Sequence, residues 1–244
     1  MSLAKDILFV GGNPRSGTSA LVSVLNSHPH VLMGMERFFF RMQNKQIMPS
    51  DFEKDRFLDV QDSDTHEHVR SQFGTNPNIG ARYDKAMIVG DKFPLIAEAY
   101  DHLTAHFPAA RVLYIVRNPL SVMESYNRRM SDKSDSWSKS AQDGLNEWNH
   151  SVAATLKRLE TGQPVTVVSY EKLFASRAAM DKLFTALGVD PKAANAGQLD
   201  TIVAKAAELE AKEGARKEAL RRYVMLNAYV TPYRKLVAEH CILS

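Results

Sequence analysis

The sequence predicts an α/β fold, a P-loop-like parallel sheet flanked by helices on both faces. Three observations predict it. An apolar run, Ile7–Val10, turns through Gly11, Gly12, Asn13 and Pro14 and restarts at Gly17 with residues that fit a helix. That is strand, tight loop and helix N-terminus. Short apolar runs then alternate with helical periodicity, the pattern of strand–crossover–strand units covered on both faces. The ends of four predicted strands carry Arg15, Lys92, Arg117 and Tyr170. Three cations and a phenol therefore converge on one rim, where sheets of this kind bind ligands.

The elements follow in order. Gly17 to about His28 reads as a helix with Leu21, Val24 and Leu25 on one face. His28-Pro29 closes it, because the residue before proline avoids the helical region. Val31–Glu36 is a short extended piece ending on a carboxylate. Residues from about 37 to 85 are polar and mixed, with short helices expected at 51–60 and 64–73 and a Gly/Asn/Pro loop at 74–80. So long a connection reads as an insertion over the active face, a lid. Ala86–Lys92 is a buried-type strand, and Pro94–His106 fits a helix starting with proline. Arg111–Arg117 is the clearest strand, and Asn118-Pro119 opens a helix. Ser136 to about Glu160 is a long amphipathic helix striped by Leu145, Trp148, Val152 and Leu156. Val165–Ser169 is the next strand, followed by Tyr170-Glu171. Met180–Leu187 is a helix stopped by Gly188. From Pro191 the chain reads as helical, with a basic cluster at Arg216, Lys217, Arg221 and Arg222. The expectation is one domain over residues 1–244.

Bulk properties narrow the classes. The 244 residues suffice for one sizeable core, and 44% hydrophobic with 24% charged residues is ordinary for a soluble globular chain. A net charge of +3 gives no case for general nucleic-acid binding. The single cysteine, Cys241, forms no internal disulfide, which fits a reducing, cytoplasmic setting. No apolar run approaches membrane-spanning length. Asp62–His68 resembles a metal cluster by composition but reads as a solvated, acid-rich helix start, and no metal is expected. His102 and His106 read as a surface face of their helix. Phe38–Phe40 divide between lining an acceptor pocket and packing on the core.

The glycine loop almost has the spacing G-x-x-x-x-G-K-[ST]. Gly12, Gly17 and Ser19 fit, while the lysine position holds Thr18 and the only cation in the loop is Arg15. Such a loop aims the N–H groups around Ser16, Gly17, Thr18 and Ser19 at an anion near the positive end of the helix. Arg15 and Lys92 would serve one anionic group and Arg117 a second. Ser125, eight residues after Arg117, faces back along the same helix, and an arginine with a hydroxyl makes a clamp for a terminal phosphate. The plainer alternatives are an ordinary glycine turn, and an Arg117 paired with a local carboxylate.

Pro14-Arg-Ser-Gly-Thr-Ser19 resembles the 5′-phosphosulfate loop of the sulfotransferases that use 3′-phosphoadenosine 5′-phosphosulfate (PAPS). Val116-Arg-Asn-Pro-Leu-Ser-Val-Met-Glu-Ser125 resembles their 3′-phosphate motif. Val167-Val-Ser-Tyr-Glu-Lys-Leu173 resembles their strand-end Tyr-Glu segment. The likeness runs from residue 6 to about 190 and is nearest the branch with carbohydrate and tyrosylprotein sulfotransferases and their bacterial relatives. It implies that Glu36 is the catalytic base. It also implies that Lys92, in Asp91-Lys-Phe-Pro94, assists the transfer, and that PAPS is the donor, bound without metal. Arg37-Phe38-Phe39 departs from the tyrosylprotein pattern, and nothing after about 195 aligns.

On this reading Glu36 accepts the proton of an acceptor hydroxyl, while Arg15, Lys92 and the loop N–H groups steady the departing 5′-phosphate. Carbohydrate, lipid, peptide and small-molecule acceptors all stay open. Two other readings stand beside it. One is a P-loop kinase or NTPase, with Ile88-Val-Gly-Asp91 as the magnesium-bearing strand and no loop lysine to support it. The other is a non-catalytic nucleotide-binding protein on the same fold.

Overall fold

The computed structural model describes residues 5–74, 77–132, 138–212 and 218–243. Strands β1 (Asp6–Gly11), β2 (Val31–Met33), β3 (Ile88–Lys92), β4 (Arg111–Val116) and β5 (Thr166–Ser169) form one parallel sheet in the order β2-β3-β1-β4-β5. The first strand is central, so the crossovers leave it in both directions. Its register sets Val10 opposite Lys92, and β4 sets Val116 opposite Ser169. All the carboxyl ends therefore share one rim.

Strands buried on both faces read as continuous apolar runs, and successive side chains go to opposite sides. Leu8 and Val10 join a core with Leu21, Leu25, Leu183 and Phe184, under the helices Thr18–Asn26 and Arg177–Leu187. Phe9 points the other way, to Phe52, Tyr114, Tyr126 and Trp148, under the helices Pro119–Ser131 and Ala141–Glu160. The fold is thus the expected P-loop-like parallel sheet with helices on both faces.

Several boundaries differ from expectation for local reasons. Pro94 does not open a helix. Its carbonyl accepts from Gly12 N–H at 3.2 Å, and the chain passes through a 3₁₀ turn, Ile96–Ala99, before the helix Tyr100–His106. Arg177–Leu187 begins a turn before Met180, because Ser176 Oγ accepts from Ala179 N–H and caps it. It ends at Gly188 as expected. Ala141–Glu160 starts at a Ser140–Asp143 capping box, and the expected start at Ser136 lies outside the described residues. In the insertion a helix at Ile79–Lys85 takes the end of the expected 74–80 loop, and another, Phe39–Gln43, was not foreseen.

Two discounted stretches also read differently in three dimensions. Asp64 and Thr65 are fully buried, so the acidic run is not simply solvated. His102 is buried with Nε2 2.8 Å from Ile47 O, while His106 is exposed. Phe38, Met42, Ile47, Phe52 and Phe57 of the insertion join the core beneath them. Past Pro191 come the helices Ala196–Lys212, Glu218–Asn227 and Val230–Lys235. The chain then lies along β5, where Ile242 N–H donates to Val167 O at 3.1 Å. Of the basic cluster, Arg216 and Lys217 fall outside the described residues, and Arg221 and Arg222 are exposed. Among the described residues no helix is long and apolar enough to cross a membrane, and no group of three His, Cys, Asp or Glu could hold a metal ion.

Candidate active site

Three cavities line up along the carboxyl rim, and neighbours share walls. The middle one, about 230 Å³, is lined by Arg15, Gly17, Thr18, Ser19, Arg117, Ser125 and Tyr170 among others. It holds most of the predicted anion site. Gly17 caps the helix Thr18–Asn26 from the left-handed region (φ 92) and offers no side-chain cap, so the first N–H groups of the helix have no partner within it. Only glycine fits here, since a Cβ would lie 2.4 Å from the Tyr170 ring. Arg15 is also left-handed (φ 70), an uncommon state for a side-chain-bearing residue. Its Nε donates to Ser125 Oγ at 2.9 Å. Ser125 was expected to work with Arg117, and in this structure it is Arg15 that holds its hydroxyl. Ser16, predicted in the same loop, is buried and lines none of the three cavities.

Arg117 lies over the Tyr170 ring, 3.9 Å from its centroid, and its Nη1 reaches Arg15 O at 3.5 Å. The two arginines thus meet on one cavity. The turn bearing Arg117 is fastened from two sides. Trp148 Nε1 donates to Arg117 O at 3.1 Å, and Glu171 accepts from Asn118 N–H and from Ser169 Oγ, each at 2.8 Å. Asn118 Oδ1 caps the following helix through Leu120 N–H at 2.9 Å. Beyond Arg117 and Tyr170 the second cavity, about 350 Å³, runs between Phe174 and Ala175 and the helix Ala196–Lys212, which contributes Val203, Ala206 and Ala207.

The third cavity, about 290 Å³, shares Arg15, Thr18 and Ser19 with the middle one and adds Glu36, Lys92, Phe39, His66, Pro94 and Leu95. Lys92 Nζ donates to Glu36 Oε1. Glu36 is held in the left-handed region (φ 62). Strain of this kind costs about 1–3 kcal/mol and persists where the surroundings over-determine it. The surroundings here are explicit. Glu36 N–H donates to Lys92 O at 3.2 Å, and Glu36 O accepts from Thr65 Oγ1. Asp91, the buried neighbour of Lys92, takes Arg37 N–H (2.9 Å) and Lys92 N–H (2.8 Å) on Oδ1, and Phe38 N–H (2.8 Å) on Oδ2. Gly34 completes the wrap, for a Cβ there would lie 2.7 Å from Asp91 Oδ1. Burial outweighs these donors and pushes the Asp91 carboxyl up to about 6.

The Arg37 side chain leaves in the other direction. It is fully buried, with Nη1 2.6 Å from Asp64 Oδ2, and its other nitrogens donate to the carbonyls of Arg56, Phe57 and Asp59. Burial opposes the charge on Asp64, but Arg56, Gln61 N–H and Arg37 together hold its pKa below the usual carboxylate value. A buried ion cluster thus pins the insertion beneath the Glu36 turn. Asp91, Asp64, Thr65 and Trp148 were not foreseen in these roles. The one local signal was an aspartate beside Lys92 at a strand end, and its oxygens face backbone N–H groups rather than the glycine loop. Phe38 is core, and Phe39 lines the cavity.

A model described as the sulfotransferase family matches residues 7–192. Protein-tyrosine sulfotransferase 1 of Danio rerio is 28% identical over 171 residues, 68% of this chain and 48% of that protein. The chain therefore spans about half the length of that relative. Among solved structures, the sulfotransferase domain from the curacin biosynthetic pathway superposes with a TM-score of 0.53 at 17% identity, over 80% of this chain and 76% of that one. A sulfotransferase from Alicyclobacillus acidocaldarius superposes with a TM-score of 0.51 at 19% identity, over 90% and 100%. At these identities the likeness concerns the fold.

Proposed function

The chain belongs to the sulfotransferase family, and on that premise we propose that it moves a sulfuryl group from PAPS to a hydroxyl acceptor, with Glu36 as general base. The observation that carries the reading is the meeting of the two arginines and the helix N-terminus on one cavity, with Glu36 and Lys92 on the next. Loop N–H groups, Arg15, Arg117 and Ser125 form a donor set suited to a ligand with two anionic groups, and the Phe174–Ala206 cavity beyond Tyr170 offers a slot for its base. Bound there, the donor would supply a sulfuryl group activated by its phosphate leaving group.

The acceptor oxygen forms a new S–O bond, and the bond from sulfur to the 5′-phosphate oxygen breaks. Glu36 takes the hydroxyl proton, and the products are a sulfate ester and adenosine 3′,5′-bisphosphate. Little covalent work falls to the protein, so positioning and charge dominate, as in phosphoryl transfer. Lys92 and Arg15 place positive charge beside the bridging oxygen as it becomes anionic. Glu36, in the left-handed backbone region, lines the same cavity as Lys92, and Thr18 and Ser19 stand on the partition where the two ligands would meet.

The test is Glu36→Gln. Turnover of any acceptor should fall about 10²–10⁴-fold, while adenosine 3′,5′-bisphosphate binding, measured calorimetrically without metal, should stay as in the native chain. Unchanged turnover removes Glu36 from the role. Nucleotide binding that requires magnesium and prefers ATP removes PAPS.

A further inference from the structure

The acceptor cavity is lined by cations that the transfer itself does not use. Among the described residues Glu36 is its only acidic lining residue, and Lys92 is tied to it. Arg15 stands on the partition with the nucleotide cavity. Two further cations line the same space: Arg129, in the last turn of Pro119–Ser131, and Lys139, next to the Ser140 cap of Ala141–Glu160. Lys139 Nζ donates to Glu147 Oε1, and the other oxygen of Glu147 accepts from Tyr126 OH at 2.8 Å. Lys139 is thereby placed by a carboxylate that lies off the cavity and is shared with a buried phenol. The rest of the wall is apolar or aromatic: Pro14, Phe39, Pro94 and Leu95, with the His66 ring 5.0 Å from Phe39. A cavity of about 290 Å³ is at the small end of ligand sites, which run from about 300 to 1,000 Å³.

Resting on the transfer reading above, we propose that the acceptor is a small hydroxylated organic acid. Its hydroxyl meets Glu36, its ring or chain lies on the Phe39–Leu95 wall, and its own oxyanion is met by Arg129 and Lys139. A neutral alcohol of the same shape leaves those two cations without a ligand partner and forfeits charge-assisted hydrogen bonds. Electrostatic attraction into a cavity with cationic walls also makes capture of the acid salt-dependent.

The experiment uses the full chain with labelled PAPS and matched acceptor pairs that differ only in the anion. The pairs are 4-hydroxyphenylacetate and 3-hydroxybenzoate against their methyl esters, and a chain hydroxy acid against its amide. The acids should surpass their neutral partners by about tenfold or more in kcat/KM, through KM, with the advantage shrinking as salt rises. Arg129→Gln and Lys139→Gln should each erode that ratio, and Arg129→Lys should restore most of it. Neutral partners that serve as well as the acids overturn the proposal. So do substitutions that slow both members of each pair equally. Calorimetry of the acids against the complex with adenosine 3′,5′-bisphosphate separates the two readings. Acid binding that Arg129→Gln weakens, without transfer, keeps the acid site and overturns the sulfotransferase reading. Absence of acid binding overturns the acid site whatever the turnover.

Discussion

Replacing Asp91 with asparagine should remove a pH dependence of stability that the native chain carries. Burial raises the Asp91 carboxyl from 3.8 to about 6 despite three backbone donors. A folded value above the unfolded one means that the stability from this group is fully present below pH 3.8 and is lost as pH rises through about 6. At about 1.4 kcal/mol per pH unit, that difference amounts to about 3 kcal/mol. Urea unfolding of both proteins from about pH 3 to about pH 8 reads it directly. The native chain should lose about 3 kcal/mol relative to Asp91→Asn across that window. Parallel curves would refute the claim that burial raises this carboxyl. Function should move as well. An asparagine amide presents N–H where a backbone N–H now points, so the turn carrying Glu36 loosens and turnover drops more than nucleotide affinity does.

Other outcomes follow from the same geometry. Gly17→Ala puts a Cβ 2.4 Å from the Tyr170 ring at φ +92. The left-handed penalty of about 1–2 kcal/mol plus the displaced ring should weaken adenosine 3′,5′-bisphosphate binding about tenfold by calorimetry, and native-like affinity would count against this loop as the anion site. Asp64→Asn leaves the buried Arg37 guanidinium without its carboxylate and should cost about 3–5 kcal/mol, visible in chemical denaturation. Ala206→Trp fills the cavity facing Phe174 and should abolish nucleotide binding with the fold intact by circular dichroism. Unimpaired binding would place the base elsewhere.

The sheet and its rim were legible because their signals are local. Ile7–Val10 followed by Gly12 and Gly17 announces strand, loop and helix within a dozen residues, and Arg117 before Asn118-Pro119 does the same at β4. What the sequence concealed is long-range. Two of the three N–H partners of Asp91, those of Arg37 and Phe38, lie more than fifty residues earlier. Backbone donors leave no trace in residue identity. Asp64 looked solvated among Asp62, Glu67 and two histidines, because its partner Arg37 is 27 residues away. Pro94 gave a true helix-start signal, but its carbonyl was claimed by Gly12 across the sheet rim. The wall supplied by Ala196–Lys212 lies beyond the residues matched to the family, so no motif pointed to it.

The shared partitions between the three cavities bear on inhibitor chemistry. Since Arg15, Thr18 and Ser19 belong to two chambers at once, and Arg117 and Tyr170 to the next pair, one compound could thread the whole row. Tethering an acidic fragment to a nucleotide fragment across the Thr18–Ser19 divide would turn the second docking event into an intramolecular one. Its gain would come from effective concentration, and a linker too short to cross that divide would forfeit all of it.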